Sequence, residues 1–475
     1  MAGWQNPYTL LHEELIQCRD EGAVIPNSLL KRVQQLDPVK DLWNLKAIDP
    51  LYDELISLPI NQALETKEPS ELSEIKKLRP QGPRDLNWKP SDEELLDRLH
   101  GAWTGRATGC ALGKPVEIMG FAGENGRLTG RQNIRKYLEN RGDWPLKDYF
   151  SGRVTNDGLK LICELSHREN IAFMEADDDI HYSLTGLGVL EQYSPSFTWQ
   201  NVARYWMEHI PVAYICTAER QAILNFQNQA SHWEPTAATN EFTRAYHNPY
   251  REWIGAQIRA DGWAWACAGK PELAAEFAYR DAGWTHTRNG IYGEMFFAAM
   301  QAAAFVEPDP AKLVQIGLSE IPSDCRLAVL IRQCLQWVKE SNDWETCVEK
   351  VEKACALISP WHYGGTERVE GMNPVHTFNN AAICVLSLFY GKMDTVESIT
   401  TSIMCGLDTD CNGATVGSIV GAASGRRRFK NDLAGRLHDT IKPNMLGFQE
   451  VKMKDLAQRT LAVWKNVDNY GKQTL

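Results

Sequence analysis

The sequence lacks long apolar segments. No part of its 475 residues forms a run of about 18 uncharged apolar residues, the length that a membrane span requires. The N-terminus mixes charges among its apolar residues from position 13 onward, so it lacks the apolar core of a signal peptide. We therefore predict a cytoplasmic protein with no membrane partner.

The sequence also lacks the cysteine spacing and the positive charge of several functional classes. Its 12 cysteines include no Cys-x-x-Cys pair, so neither a zinc ribbon nor a thioredoxin-like redox site is indicated. In a chain of this size we interpret them as reduced thiols. Since 50 Lys and Arg face 61 Asp and Glu, attraction to phosphate backbones is not expected to drive binding. We expect no nucleic-acid partner.

Strict alternation of apolar and polar residues, the pattern of a half-buried strand, is scarce. Apolar residues recur instead at intervals of three and four, as in Ile383, Leu386 and Phe389. The sequence therefore predicts an almost entirely α-helical fold.

Residues 67–90 divide the chain, because they are rich in Lys, Glu and Pro and sparse in apolar residues. This composition is typical of a linker or of a strap across the surface. Residues 1–66 are predicted to form a small helical appendage, which either caps the domain or binds a partner. Residues 91–475 are predicted to form the main domain, whose first helix begins at a capping box formed by Ser91 and Glu94.

Two segments carry glycine at every fourth residue. They are Gly101, Gly105, Gly109 and Gly113 in the first segment, and Gly413, Gly417, Gly421 and Gly425 in the second. A glycine inside a helix costs about 1 kcal/mol relative to alanine, so each run is expensive unless another backbone packs closely against it. We predict that each segment is a helix whose bare face makes a close helix contact.

Acidic residues lie where two predicted helices begin. Asp408 and Asp410 precede the second glycine run, and residues 177–179 are three consecutive aspartates ahead of a helical pattern. Such carboxylates repel one another by more than a helix N-terminus offsets, whereas Mg²⁺ prefers several oxygen ligands. Residues 177–179 taken alone are also compatible with a solvated loop. A calcium-binding EF-hand is not supported, because Ile419 stands where its loop requires glutamate.

Four segments together resemble the ADP-ribosylglycohydrolase family over roughly residues 95–430. They are the first glycine run with its ending GKPVE, the acidic helix start, residues 254–293, and the segment GLDTDCNGATVGSIVGAASG. The resemblance implies a compact orthogonal bundle of many helices, here with an N-terminal helical extension. It also implies a hydrolase with two Mg²⁺ ions, for which Mn²⁺ is expected to substitute.

By this resemblance, Glu117 takes the position of a glutamate near the scissile bond, and Asp408 and Asp410 form one of two metal-binding segments. Cys411 stands where a ligating threonine is usual, and a neutral thiol is a poor Mg²⁺ ligand. The catalytic residues are expected to be Glu117, Asp178 and Asp410. The expected metal ligands are Asp177, Asp178, Asp179, Asp408, Asp410 and Cys411.

Two candidates compete for the other metal-binding segment. Residues 177–179 keep both carboxylates and are followed by an apolar helical pattern, with Asp177 in the place of the family's threonine. Residues 155–157 keep the threonine but only one carboxylate, Asp157. We favour residues 177–179, and residues 118–160 are then an insertion that shapes the rim of the site.

The resemblance also places substrate-binding residues in the middle of the chain. It predicts a glycine-rich loop facing the ribose and pyrophosphate, next to a histidine turn for which a core histidine is the alternative. The expected substrate-binding residues are Gly255, Gln257, Arg259, Gly262 and His286. Candidates for stacking on adenine are Trp263, Trp265, Trp284, Trp361 and Tyr363, although most of the 16 tryptophans are expected in the core.

The activity implied is hydrolysis of the glycosidic bond at ribose C1 of an ADP-ribosylated protein or of a small ADP-ribosyl or ribosyl compound. Such cleavage develops oxocarbenium character, so it needs charge stabilisation and an activated water. Two alternatives stay open. One is an N-ribosyl hydrolase acting on a nucleoside or an NAD-like compound, and the other is a non-catalytic protein that binds ADP-ribose.

Overall fold

The structure, a computed structural model, describes residues 5–121, 129–229, 238–358 and 373–474. Within these ranges the regular secondary structure is almost entirely helical, which confirms the predicted fold class. Two short strands, β1 (Thr440–Ile441) and β2 (Val451–Lys452), form one antiparallel pair. No helix in the described ranges is long and apolar enough to cross a membrane.

The N-terminal helices come first. They are α1 (Pro7–Asp20), α2 (Asn27–Gln34), α3 (Leu45–Ile56), α4 (Gln62–Lys67) and α5 (Leu72–Leu78). Helices α1 to α3 bury an apolar cluster of their own, which also takes in Ala218 and Tyr250 from the rest of the chain. These helices thus pack against the main helices through Ala218 and Tyr250, while their apolar cluster stays separate from the large core of the main helices.

The main helices follow. They are α6 (Asp92–Gly113), α7 (Glu117–Phe121), α8 (Gly130–Glu139), α9 (Asp178–Tyr193), α10 (Trp199–His209), α11 (Thr217–Gln229), α12 (Asn240–Ala245), α13 (Ala260–Ala266), α14 (Pro271–Ala282), α15 (Arg288–Ala304), α16 (Pro310–Leu318), α17 (Arg326–Glu340), α18 (Trp344–Ile358), α19 (Thr377–Tyr390), α20 (Glu397–Met404), α21 (Thr409–Ser424), α22 (Asn431–Ala434) and α23 (Met453–Thr474). They share one large apolar core, in which α15 is buried along its whole length.

A buried network of glutamates and arginines joins the N-terminal helices to the main helices. Arg251 lies 2.8 Å from Glu14 and 2.9 Å from Glu21. Arg288 pairs with Glu21 and, at 2.9 Å, with Glu252. We call this set the arginine network; its members are Glu14, Glu21, Glu68, Glu252, Arg251, Arg288 and Arg326.

Residues 67–90 run along the surface of the main helices. Within them, Arg84 pairs with Glu320 at 2.5 Å, and the backbone N–H of Leu86 donates to the carbonyl oxygen of Gly269 at 2.9 Å. Helix α5 inserts Ile75 into the main core. The segment therefore contacts the main helices at several points, while its interpretation as a linker or strap and the boundaries 1–66, 67–90 and 91–475 remain a prediction.

Helix α6 begins where the sequence predicts. Ser91 caps it, because its hydroxyl accepts a hydrogen bond from the backbone N–H of Glu94 at 3.1 Å. The Glu94 carboxylate lies 3.6 Å from Arg98, one turn further along the helix. The predicted serine cap is confirmed. Glu94, the glutamate of the predicted capping box, forms an ion pair with Arg98 along the helix.

Helices α6 and α21 pack antiparallel with their glycines in contact. Gly101 faces Gly421, Gly105 faces Gly417, Gly109 faces Gly413, and Gly113 faces the backbone of Thr409. A Cβ atom added to any of the four α6 glycines would lie under 3.0 Å from the backbone of the segment that contains α21. The predicted close helix contact is confirmed, and we call it the glycine seam. The eighth glycine, Gly425, instead ends α21 with a φ of +72°.

Candidate active site

The glycine seam sets the end of α6 beside the start of α21. Glu117 begins α7 just after α6, while Asp408 and Asp410 occupy the N-cap and the first turn of α21. The carboxylate oxygens of these three residues lie within 4.8 Å of one another. Thr409 links the two helices, because its hydroxyl donates a hydrogen bond to the carbonyl oxygen of Gly113 at 2.8 Å. The seam therefore brings together carboxylates that are far apart in the sequence.

The aspartates of residues 177–179 reach the same place at the start of α9. Asp177 caps this helix by accepting a hydrogen bond from the backbone N–H of Asp179 at 3.1 Å. Asp179 lies within 4.8 Å of Asp410, and Asp177 and Asp179 lie within the same distance of the thiol of Cys110. Three helix starts thus supply carboxylates to one location.

We call this set of six carboxylates the acidic centre. Its members are Glu117, Asp177, Asp178, Asp179, Asp408 and Asp410. Burial, followed by the neighbouring carboxylates, raises the pKa values of Glu117, Asp178 and Asp408 well above their ordinary range. Burial and Asp177 also raise the pKa of Asp410 to about 6. A buried site in which carboxylates resist ionisation is one that a cation would stabilise.

Two cations that sequence reasoning missed lie inside the acidic centre. The guanidinium of Arg106 is completely buried and pairs with Asp179 at 2.6 Å and with Asp261 at 3.0 Å. Lys114 lies 3.2 Å from Asp177 and donates a hydrogen bond to the carbonyl oxygen of Ala176. The sequence did contain a signal for them. Arg106 and Lys114 are the two charged residues within the first glycine run and directly after it, where the neighbouring residues are small or apolar.

The donor set of the acidic centre fits a hard divalent cation. Oδ1 of Asp408 and Oδ1 of Asp410 are buried and have no hydrogen-bond partner among the described residues. An unpartnered buried carboxylate oxygen carries a large desolvation cost. Oxygen ligands of this kind are those that Mg²⁺ and Mn²⁺ prefer. The residues present therefore fit a metal of the type expected.

Cys411 has a defined partner within the acidic centre. Its thiol donates a hydrogen bond to Oδ2 of Asp179 at 3.0 Å. Burial, followed by Asp179 and other aspartates, raises the pKa of this thiol well above its ordinary value, so it stays protonated. The structure thus shows Cys411 as a hydrogen-bond donor to a carboxylate, and its role as a metal ligand remains a prediction.

The main helices also match a known family in sequence. A sequence model of the ADP-ribosylglycohydrolase family matches residues 91–469. The chain belongs to the ADP-ribosylglycohydrolase family. It is therefore a glycohydrolase-type enzyme, of a family that is generally metal-dependent and acts on ADP-ribosylated substrates.

Comparison with other proteins adds little beyond the family. A solved structure titled "ADP-ribosylglycohydrolase-related protein complex" is similar with a TM-score of 0.47 and 16% sequence identity. The similarity covers 79% of this chain and 99% of that chain. No curated protein gives a significant match.

The competing candidate for a metal-binding segment in this glycohydrolase lies elsewhere. Asp157 pairs with the guanidinium of Arg141 at 2.8 Å and accepts a hydrogen bond from Asn140 at 3.0 Å. Both partners directly follow the end of α8. Among the described residues, Asp157 belongs to none of the groups of possible metal ligands that contain Asp408 or Asp410. The geometry gives Asp157 a structural ion pair.

Arg259 is enclosed by carboxylates. It is 1% exposed and lies 2.5 Å from Glu219, 2.7 Å from Asp281 and 3.4 Å from Glu294. Its guanidinium also donates to the hydroxyl of Thr285 at 2.9 Å. A side chain held by these partners organises the core beneath the site, which differs from the expected contact with a pyrophosphate.

The predicted glycine-rich loop is wrong in its conformation, because residues 257–266 are helical. Gly262 lies in α13, where a Cβ atom would lie under 3.0 Å from the backbone of Gly186 in α9. Gly255 instead makes room for the carboxylate of Glu219. Gln257 is fully buried, and its Oε1 has no hydrogen-bond partner among the described residues. These glycines permit close packing, and the sequence pattern alone could not separate that use from phosphate binding.

His286 is a buried residue whose Nδ1 forms a hydrogen bond with the hydroxyl of Thr285 at 2.8 Å. Burial and then Arg259 lower its pKa well below the ordinary value, so the imidazole is neutral. These observations favour the core-histidine alternative. Three of the candidate stacking residues are likewise buried in the core, and the other two lie outside the described residues. They are Trp263, Trp265 and Trp284 in the core, and Trp361 and Tyr363 outside the described ranges.

Proposed function

We propose that this protein hydrolyses the glycosidic bond at ribose C1 of an ADP-ribosylated substrate and that it depends on Mg²⁺, for which Mn²⁺ substitutes. One observation carries the proposal. Carboxylates from three helix starts converge in a buried centre of a chain that belongs to a glycohydrolase family, and two of their oxygens lack partners among the described residues.

The residues proposed to hold the metal are Asp408 and Asp410, with Glu117 and Asp178 beside them. Once bound, Mg²⁺ would supply Lewis-acid activation of the ribose hydroxyls and of a water molecule. The resemblance to the family predicts two ions, with Asp177, Asp179 and Cys411 as further ligands, and this count forms part of the proposal to be tested.

Glu117 is proposed to handle a proton near the anomeric carbon. Burial and then Asp410 raise its pKa, which favours the protonated carboxyl that a general acid needs in order to give a proton to a leaving group. Asp178 is the partly exposed member of residues 177–179. Of these three aspartates it is the one that a ribose hydroxyl can reach, and we propose that it orients the sugar.

The test is a turnover assay on the full chain. It measures release of ADP-ribose from arginine-linked and serine-linked ADP-ribosyl peptides, and ribosyl cleavage of NAD and nucleosides. Chelation of divalent cations, or Asp410→Ala, is expected to reduce turnover at least about 100-fold, since even the loss of an outer-shell partner costs 10–100-fold. The thermal midpoint should not fall, because the substitution removes like-charge repulsion from the metal-free centre.

A matched control is Glu93→Gln, which changes a highly exposed carboxylate on the same helix as the glycine seam and should leave turnover unchanged. Undiminished turnover after both chelation and Asp410→Ala would overturn the proposal. Cleavage restricted to NAD or nucleosides would replace the substrate with a free ribosyl compound. ADP-ribose binding without any turnover in Mg²⁺ would favour the non-catalytic alternative.

A further inference from the structure

The acidic centre consists of two halves that differ in how their oxygens are used. One half, at the start of α9, contains Asp177 and Asp179, with the partly exposed Asp178 between them in the sequence. The other half, at the junction of α7 and α21, contains Glu117, Asp408 and Asp410. We refer to them as the α9 half and the α21 half. Both cations found inside the centre lie against the α9 half.

Both carboxylate oxygens of Asp179 already have partners. Oδ1 accepts a hydrogen bond from the guanidinium of Arg106 at 2.6 Å, and Oδ2 accepts one from the thiol of Cys411 at 3.0 Å. The guanidinium is held in this place by the carbonyl oxygens of Asp179 and Ile258, at 2.8 Å and 2.7 Å, and by Asp261. An arginine side chain does not lose its proton in a protein, so this positive charge is permanent.

Both carboxylate oxygens of Asp177 are occupied as well. Oδ1 accepts the hydrogen bond from the backbone N–H of Asp179 that caps α9, and Oδ2 lies 3.2 Å from Nζ of Lys114. The ammonium group is further fixed by the carbonyl oxygen of Ala176. A divalent cation bound to the α9 half would lie beside two positive charges and would repel both.

The α21 half has the opposite character. Asp408 is 5% exposed and Asp410 is 4% exposed, and each keeps one buried oxygen without a hydrogen-bond partner among the described residues. No lysine or arginine among the described residues forms an ion pair with Glu117, Asp408 or Asp410. Three carboxylates without a basic partner, two of them with free oxygens, make the place where a cation is needed.

We infer that Arg106 and Lys114 take the place of one metal ion, so that this chain binds a single divalent cation in the α21 half, held by Asp408 and Asp410 beside Glu117. The inference rests on the proposed function, and it revises the count of two ions that the family resemblance predicts. It also explains why a thiol is suitable at position 411. Cys411 donates a hydrogen bond to Asp179, whose cationic partner is Arg106.

The first test is the stoichiometry of Mn²⁺ on the full, metal-stripped chain, measured by titration calorimetry and by electron paramagnetic resonance. One Mn²⁺ per chain with the spectrum of an isolated ion is expected. Two Mn²⁺ per chain, or an exchange-coupled spectrum, would overturn the inference and leave the proposed function standing. The absence of any Mn²⁺ binding would overturn both the inference and the proposed function, so the two failures can be told apart.

The second test compares the two halves by substitution. Asp408→Asn should weaken Mn²⁺ binding at least about 100-fold, whereas Asp179→Asn should weaken it by no more than about 10-fold, the lower end of the range for a group outside the ligand shell, because Asp179 lies near Asp410 but gives the ion no ligand oxygen. The reverse ranking would contradict the inference. Asp261 still pairs with Arg106 in the Asp179 variant, which favours its folding.

A third variant removes the permanent charge. Arg106→Ala is expected to bind a second Mn²⁺ and to show an exchange-coupled spectrum, because Asp179 and Asp261 then lose their counter-cation. If the Arg106→Ala protein folds and still binds one ion, the inference that Arg106 takes the place of a metal ion is contradicted. If this variant does not fold, the stoichiometry of the unchanged protein and the ranking of the two asparagine variants still decide.

Discussion

The arginine network and the acidic centre both bury clustered carboxylates, yet their protonation equilibria shift in opposite directions. In the network, burial alone would raise the pKa of Glu21, but Arg251 and Arg288 outweigh it and hold the pKa at about 2. In the acidic centre, burial and Asp177 together raise the pKa of Asp410 to about 6. The sign of the shift depends on whether the cations that face the carboxylate outweigh burial and the neighbouring carboxylates, as Arg251 and Arg288 do for Glu21; Arg106 does not outweigh them for Asp179, whose pKa stays raised.

The balance of charges explains the difference. Four glutamates meet three arginines in the arginine network, so the protein almost neutralises that cluster by itself. Within the described ranges, the six carboxylates of the acidic centre form ion pairs with just two basic residues, Arg106 and Lys114. A closed network of this kind holds elements together, whereas a cluster with excess charge requires something from solution. Burial of carboxylates is therefore not enough to identify an active site.

The strongest test of this contrast breaks the arginine network. Arg251→Met leaves Glu14 and Glu21 buried without that partner, and we expect the free energy of unfolding to fall by about 3–5 kcal/mol. Urea unfolding measures the change. The control is Arg32→Met, since Arg32 and Glu54 are largely exposed and their pair is worth at most about 1 kcal/mol. Equal losses in the two variants would contradict a structural role for the network.

The second test follows the same contrast through pH. The pKa of Glu21 is lower in the folded protein than in the unfolded chain, so its contribution is complete above about pH 4.5 and is lost as the pH falls towards 2. The loss is on the order of 3 kcal/mol. Unfolding free energies measured between pH 6 and pH 3 should fall less steeply in Arg251→Met than in the unchanged protein. Parallel slopes would show that Arg251 does not set this pKa.

The third test disturbs the acidic centre through its scaffold and leaves the arginine network intact. Gly105→Ala places a methyl group against the backbone of Gly417, and we expect a loss of about 1–3 kcal/mol from overpacking together with weaker Mn²⁺ binding. The control is Gly435→Ala, where the nearest atom to an added Cβ is an ordinary 3.7 Å away. An unchanged Mn²⁺ affinity in folded Gly105→Ala would mean that the seam does not position the centre.

The smallest expected effect concerns the competing acidic segment. Asp157→Ala removes the partner of Arg141 and should lower stability, but it should change Mn²⁺ affinity by no more than about twofold, because Asp157 is separate from the acidic centre. Calorimetric titration of the variant beside Asp408→Asn measures this. A large loss of Mn²⁺ affinity would return residues 155–157 to the metal site.

The parts that could be predicted from sequence are those with local physical causes. Glycine at every fourth residue is costly in a lone helix, and the structure supplies the facing backbone that this cost implies. The serine cap at Ser91 and the aspartate helix starts at Asp177 and Asp408 are likewise local signals. Together with the helical periodicity they predict the fold class and the acidic helix starts, whereas Glu117 is predicted only through the resemblance to the family.

The parts that could not be predicted depend on pairings between distant residues. Arg106 meets Asp179 and Asp261 only after three helices pack together, and no spacing rule connects them. The same holds for Arg251 with Glu14, which joins residues from opposite sides of the strap. Arg259 shows the same limit, because its place beside glycines in the sequence suggests phosphate binding. The three buried carboxylates that surround its guanidinium are visible only in the folded chain.

Contact between bare backbones gives the glycine seam a discrete register. Side-chain interfaces can absorb small shifts by changing rotamers, but facing glycines have no side chains to adjust. The next alignment that again sets glycine against glycine lies four residues away, a slide of about 6 Å at 1.5 Å per residue. Such a slide would carry Asp408 and Asp410 away from Glu117 altogether. The acidic centre of the unchanged protein is therefore expected to keep a single geometry, which changes only when an added side chain, as in Gly105→Ala, forces the two backbones apart.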